Sequence, residues 1–262
     1  MKHFLNVYKV LLHLNFAALV AYRSNFINSA ISSIGWGILS IVSIILVTSY
    51  TTSVFGWRRE ELLILTGAYG ITIGVFHLIF SRNFEQLAHT IHKGELDVIL
   101  VKPIDSQFYV SVWRVSYTSL FRILIGIVFT LHMINQIHAE LKLINVLGFF
   151  VLLVIGILLL YSLWFIVTTF TLWFTRLSNL VDFMFNVANI ARFPQEMYHQ
   201  LVWYVFLFLL PITLIVSTPT KVLLEKALAG DVVLVVLFSF SLFLISRKFW
   251  KFALRYYTSA SS

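Results

Sequence analysis

The chain has 262 residues, 60% hydrophobic and 11% charged, with a formal net charge of +8 and no cysteine. A soluble domain carries about 25% charged residues, so a surface wetted all round is excluded and lipid is the expected solvent; thiolate catalysis, Cys-type zinc sites and disulfides are excluded as well. Lys and Arg gather at the ends of apolar runs, where they meet anionic headgroups, rather than along the single stripe a nucleic-acid surface needs.

Residues 2–22 are predicted to form an interfacial elbow helix. Lys2, Asn6, Lys9 and His13 fall on one stripe, and Phe4, Leu5, Leu11, Leu12 and Leu14 cover the other faces. The alternative is a ragged extension of the first crossing. Lys9 and His13 interrupt the apolar stretch and no small-x-small site precedes Arg23, so this segment is expected to be kept rather than cleaved.

From Ser24 to Trp57 no residue carries a formal charge. About 20 residues suffice to cross hydrocarbon, which sets the first crossing at 30–52. Arg58 to Glu61 make a turn, and the second crossing follows at 62–80. Its Gly67, Gly70 and Gly74 let another helix come close, from a second subunit or from the same chain. His77 in that span reads as a proton relay or as a hydrogen-bonded packing histidine.

The segment 83–93 follows the i, i+3, i+4, i+7 pattern through Phe84, Leu87, Ala88 and Ile91, with Arg82, Glu85, Gln86, His89 and Lys93 on the other side. Asn83 is the expected N-cap, and Gly94 the left-handed stop. Pro103 is expected to hold Lys102 extended. His89 and His92 lack ligating company, so no metal site is expected. An amphipathic helix of this kind needs a cover, which is either the membrane surface or a partner's groove.

The third crossing is set at 117–137, with Arg122 snorkelling from its inner end, and the fourth at 145–172, within an uncharged run from Leu143 to Thr175. Hydropathy favours 197–217 as the fifth crossing, although Pro211 removes a backbone donor there; the alternative is that 177–191 crosses, despite Asp182, Asn186 and Asn189, while 197–217 dips in and returns. Arg192 and Glu196 cancel, so charge does not decide. The sixth crossing is 231–248, continued by a tail with Phe249, Phe252, Ala253 and Tyr256 on one face and Lys248, Lys251 and Arg255 on another. No repeat or linker divides the chain, which reads as one transmembrane domain over 1–262.

Placing both termini, the Arg82–Arg122 loop and the Arg176–Glu196 loop inside puts 14 of the 19 Lys and Arg there, while the outer turns balance to zero. The positive-inside rule therefore gives an all-α integral membrane protein with six transmembrane helices and cytoplasmic N and C termini. The chain has no Gly-Lys dipeptide, so it lacks a phosphate-binding loop; HExxH, GxSxG and DxDxDG are likewise missing, and it is not expected to be an enzyme.

Four pieces in order carry a resemblance: Gly94-Glu95-Leu96-Asp97 followed by Leu100-Val101-Lys102-Pro103; Arg192-Phe193-Pro194; Pro211 and Pro219; and Tyr257 to Ser262 at the terminus. Together they are similar to the ABC-2 type permeases, the membrane subunits of bacterial ABC exporters, in the branch whose ATPase is a separate polypeptide. The resemblance implies a coupling helix that docks on an ATPase dimer, with Phe84, Leu87, Ala88 and Ile91 in its groove and Gly94, Glu95, Leu96, Asp97, Lys102 and Pro103 linking it to the third crossing. It also implies re-entrant helices around Arg192, Phe193, Pro194, Pro211 and Pro219, which favours 177–191 as the fifth crossing. By the same resemblance the permease pairs with a copy or a paralogue in the bacterial plasma membrane, among lipids. It binds no cofactor itself, since ATP and Mg belong to the partner ATPase. A secondary transporter, for which only His77 and Asp182 offer buried ionisable groups, or a non-transporting scaffold are the alternatives.

Overall fold

The computed structural model describes residues 2–49, 53–137, 142–174, 178–198 and 203–257. Apart from one two-residue hairpin, its regular structure is helical. Helix α1 (Lys2–Ala21) leads into α2 (Arg23–Thr48). Strands β1 (Ser53–Val54) and β2 (Trp57–Arg58) pair antiparallel about Phe55 and Gly56. Both turn residues have positive φ, 52° and 82°, the handedness a two-residue hairpin turn requires.

Helix α3 (Arg59–Phe76) runs without a break through a π-helical turn (His77–Ser81) into α4 (Arg82–His92). The expected second crossing and the expected short loop helix are thus one 34-residue rod. A π turn adds a residue to the helical cycle and re-aims the helix beyond it, which is how the same rod changes from a glycine face to an amphipathic one. Two short helices, α5 (Asp97–Leu100) and α6 (Ser106–Val112), complete the loop before α7 (Ser119–Gln136) and α8 (Leu143–Thr169), which ends in a 3-10 turn (Phe170–Leu172).

Then come α9 (Ser178–Ala188), two 3-10 turns (Asn189–Arg192 and Gln195–Tyr198), α10 (Trp203–Leu223) and α11 (Ala229–Arg255). Among the described residues five helices are long and apolar enough to cross a membrane: α2, the α3–α4 rod, α7, α8 with its 3-10 turn, and α11. The fifth expected crossing, 177–191, corresponds to the 11 residues of α9 and the turn after it, with Leu177 outside the described residues. That is short of the ~20 residues a full span needs. Of the stretch expected at 197–217, the residues from Trp203 onward form one helix that passes through Pro211 and Pro219 to Leu223.

Contacts order these segments. Phe185 stacks on His77 with ring centroids 5.3 Å apart, Tyr69 donates to Asn189 at 2.8 Å, and Trp57 Nε1 donates to Glu196 at 3.0 Å. The chain from α9 to Glu196 therefore climbs alongside α3 from the loop end of the bundle to the hairpin end. There Lys221 meets Glu196 at 2.6 Å and Asp231 at 3.0 Å, and Gln195 donates to Asp231 at 3.0 Å. Residues 195 and 221 are thus neighbours, although most of α10 lies between them in the chain. Pro219 removes the N–H that would have bonded the Ile215 carbonyl. That carbonyl lies against Gly156 of α8, where an added Cβ would stand 2.8 Å from it, an approach that suits a Cα–H···O contact.

The glycine face of α3 is used inside the chain, against α7. A Cβ on Gly67 would collide with the Thr130 hydroxyl, one on Gly74 would lie 2.6 Å from Ile123, and one on Gly126 would lie 2.9 Å from the Gly67 carbonyl. Gly126 is the reciprocal partner that the sequence reading did not single out. Gly126→Val is therefore expected to cost about 2–3 kcal/mol through forced separation of backbones, read as a lower thermal midpoint of the detergent-purified protein. Gly35→Ala, where nothing lies within 4 Å, is the control and should not lower it.

Candidate functional site

Two places concentrate chemistry: the packed loop between the α3–α4 rod and α7, and a polar cavity beside α3. In the loop, the apolar face of α4 is covered by the chain itself. Phe84 is fully buried and its ring meets Phe80, Tyr161 and Phe165 at centroid distances of 6.3, 5.8 and 6.0 Å. Leu87, Ala88 and Ile91 are buried with it. The face expected to fill an ATPase groove is thus a core face, because α8 and the turn after it lie against α4 and remove that surface from any partner.

Asn83, expected as an N-cap, has no terminus to cap in a continuous rod. Its amide donates to the Arg114 carbonyl at 2.8 Å and accepts from the Arg114 N–H at 2.8 Å, clamping the far end of the loop. Asn15 of α1 donates to the Trp113 carbonyl at 2.9 Å and Tyr117 donates to the Leu12 carbonyl at 2.9 Å, so α1 is fastened to the same strip. Gly94 does stop α4: its φ is +70°, and the Glu95 N–H reaches back to the Thr90 carbonyl at 3.0 Å.

Beyond Gly94 the chain turns outward. Leu96 is fully buried beneath α5, Glu95, Lys102 and Pro103 are exposed, and Asp97 is half-buried. Lys102 Nζ donates to the Tyr109 hydroxyl at 2.7 Å. Two aliphatic side chains stand out at the tip, Val98 at 64% and Val101 at 82% exposure. With Arg82, Glu85, His89, His92 and Lys93, which are also exposed, they make the outer surface of the loop. Their signal in the sequence was only a pair of valines in a charged segment, which periodicity does not register.

Asp105 ties this loop to the last helix. Its carboxylate caps α6 by accepting from the Phe108 N–H at 2.9 Å, and it forms a two-point ion pair with Arg247, one arm of which is 2.8 Å. The hydrogen bonds from Arg247 hold the Asp105 carboxyl below the usual carboxylate range, against the opposing effect of burial. Gln107 donates to the Tyr161 hydroxyl at 3.1 Å, Ser111 bonds the same hydroxyl at 2.9 Å, and Trp250 Nε1 donates to Ser106 at 3.0 Å. Helix α6 is therefore bolted to both α8 and α11. The expected aromatic face of the tail splits: Ala253 is buried, Phe249 packs on Phe170 and Trp173, and Phe252 and Tyr256 are exposed, while Trp250, outside that face, is buried.

The cavity, about 480 Å³, lies between α2, α3, α7 and α9. His77 lines it while its Nδ1 bonds Ser81 across the π turn at 2.9 Å, so it has the partner a packing histidine needs. Arg122, expected to snorkel, turns into this cavity instead. The Asp182 side chain lies outside the described residues. Arg192 sits with its guanidinium 4.9 Å from the Phe193 ring, and Pro194 leads into the turn that carries Glu196 to Lys221. No group of side chains able to hold a metal ion occurs among the described residues.

A bundle of long apolar helices, with a firmly packed loop at one end and a polar cavity among its helices, defines a multi-pass membrane protein of the transporter class. The chain belongs to the ABC-2 family of transporter proteins, whose family model matches residues 34–261. No curated protein and no solved structure matches it. It is accordingly the permease, the membrane component, of an ABC transporter, a class of machine whose ATPase supplies the catalysis.

The ion pair of Asp105 predicts a pH dependence. A carboxyl whose folded pKa is depressed contributes stability that is present above its unfolded pKa and lost as pH falls through the folded value. Asp105→Asn keeps the cap acceptor but removes the charge, and should cost about 1 kcal/mol at neutral pH for this partly exposed pair. Asp105→Ala removes the cap as well and should cost about 2 kcal/mol. The wild-type advantage over Asp105→Asn, followed by thermal unfolding, should shrink below about pH 4.

Proposed function

We infer that this chain is the permease of an ABC exporter, that two permeases form the translocation path in a bacterial plasma membrane, and that a separate cytoplasmic ATPase dimer, holding ATP and Mg, drives them. The loop end faces the cytoplasm and the hairpin end faces outside. The Lys and Arg of α1, of the loop after α4 and of the end of α11, which meet at the loop end, support that orientation, as does the balanced set of Glu61, Lys226, Lys221 and Asp231 at the hairpin end; Glu196, placed inside by the charge count, lies with that outer set. The stretch from Gln195 to Leu223 is read as the re-entrant element, supported by the adjacency of Glu196 and Lys221.

The observation that carries the coupling assignment is the exposure of Val98 and Val101 on a loop whose other aliphatic groups are packed inward. An ATPase would seat these two side chains, with His89, His92, Lys93, Glu95, Lys102 and Pro103 around them. Closure of the ATPase pair on ATP would press on the tip of α5. Because Asp105 holds Arg247 and α6 holds Tyr161, that displacement reaches α11 and α8 together and moves them as one body. Phe84, Leu87, Ala88 and Ile91 transmit the load as core contacts rather than receiving it.

Val98→Asp combined with Val101→Asp should leave the permease folded, with an unchanged thermal midpoint, but abolish co-purification of the ATPase and stimulated ATP hydrolysis. Leu87→Asp, which buries a charge, should instead lower the yield of folded protein severely. Undiminished ATPase recovery with the Val98 and Val101 variant would reject this docking surface.

A further inference from the structure

We propose that the cavity between α2, α3, α7 and α9 is an anion-binding site, selecting a carboxylate or phosphate head group carried on an amphipathic body; this rests on the permease reading and names the chemical class of its cargo. Arg122 stands four residues into α7 and lines the cavity. Among the described residues it takes part in no ion pair. A guanidinium among membrane helices without a counter-charge is costly unless water or an anion meets it, and its five donors match the oxygens of a carboxylate or phosphate.

The walls agree with that charge. Among the described residues no acidic side chain lines the cavity. Helix α2 turns Asn28, Ser29, Ser32, Ser33 and Ser40 toward it, a run of hydroxyls and amides on a helix whose other side chains are largely apolar and exposed. Hydroxyl and amide donors complete an anion's coordination without adding charge. Tyr69 and Asn189, hydrogen-bonded to each other, line it too, and Arg122 and Arg192 both act electrostatically on Tyr69. Trp36, Phe76 and Phe185 supply an apolar wall, which suits the body of an amphiphile better than a bare ion. The volume of about 480 Å³ falls within the ~300–1,000 Å³ of small-molecule sites.

Trp36 provides the readout. The full-length permease in phosphatidylcholine nanodiscs is titrated with dodecyl phosphate while tryptophan fluorescence is followed, and Trp36→Phe assigns the signal to the cavity. Saturable binding is expected, at least tenfold tighter than for dodecyltrimethylammonium. Equal affinity for the two amphiphiles in the wild-type protein would overturn the proposal whatever any variant does. Arg122→Gln should weaken dodecyl phosphate binding by roughly tenfold or more, the range for a lost charge-assisted hydrogen bond, and Arg122→Lys should retain part of it. Asp182 lies four residues before Asn186, so Asp182→Asn is included: affinity within about twofold of wild type is expected, and a gain of tenfold or more would overturn the proposal by showing that a carboxylate already neutralises Arg122. Displacement by phosphatidic acid added to the bilayer assigns a lipid source, and displacement by inorganic phosphate a soluble one; displacement by neither rejects the site. Binding is measured without the ATPase, so failure here leaves the Val98 and Val101 test of coupling standing.

Discussion

The architecture depends on the close crossing of α3 and α7. Hydrophobic burial does not drive helix association in lipid, where the tails are as apolar as leucine, so van der Waals contact between backbones has to supply it. Gly67, Gly70 and Gly74 on one helix and Gly126 on the other remove the side chains that would hold the axes apart. Once α7 is seated, Arg122 is carried to the level of the α3 side chains that line the cavity, and the π turn at His77 sets the angle at which α4 leaves. The site and the loop therefore both inherit their positions from this one contact.

At the loop end, the same rod that crosses the bundle becomes the floor of a small packed unit. Aromatic rings from Phe76, Phe80, Phe84, Tyr161 and Phe165 interleave there, and polar fastenings from Asn83, Asp105 and Gln107 close its edges. Such a unit is stiff because its parts are held by several independent kinds of contact. The amphipathic face of α4 is part of that internal packing, with Phe84, Leu87, Ala88 and Ile91 all buried.

The opposite end is organised by charge. Lys221 is buried between Glu196 and Asp231, and Glu61 is buried against Lys226 and Arg58. Desolvating these groups is costly, so such pairs add little net stability, and removing one partner from either would strand a charge. Their effect is to specify geometry: they pin the hairpin, the turn after α9 and the start of α11 to one another.

Composition, the uncharged runs and the glycine spacing were enough to read a multi-pass helical protein with long apolar helices, the stop at Gly94, and the series of motifs that resembles the ABC-2 permeases. These are local properties, set by hydropathy over ~20 residues and by backbone conformation at single positions. Which surface covers which face is not local. Periodicity showed that Phe84, Leu87 and Ile91 share a face, but only the tertiary structure shows α8 lying on it; hydropathy placed Arg122 at a helix end, but only the α3–α7 crossing turns it toward His77. Gly126 and Gly156 carry no signal of their own, since an isolated glycine becomes informative only when its partner, Gly67 or the carbonyl freed by Pro219, is known. A sequence records what each segment prefers to bury, and the pairing of those segments is decided by contacts between residues far apart along the chain.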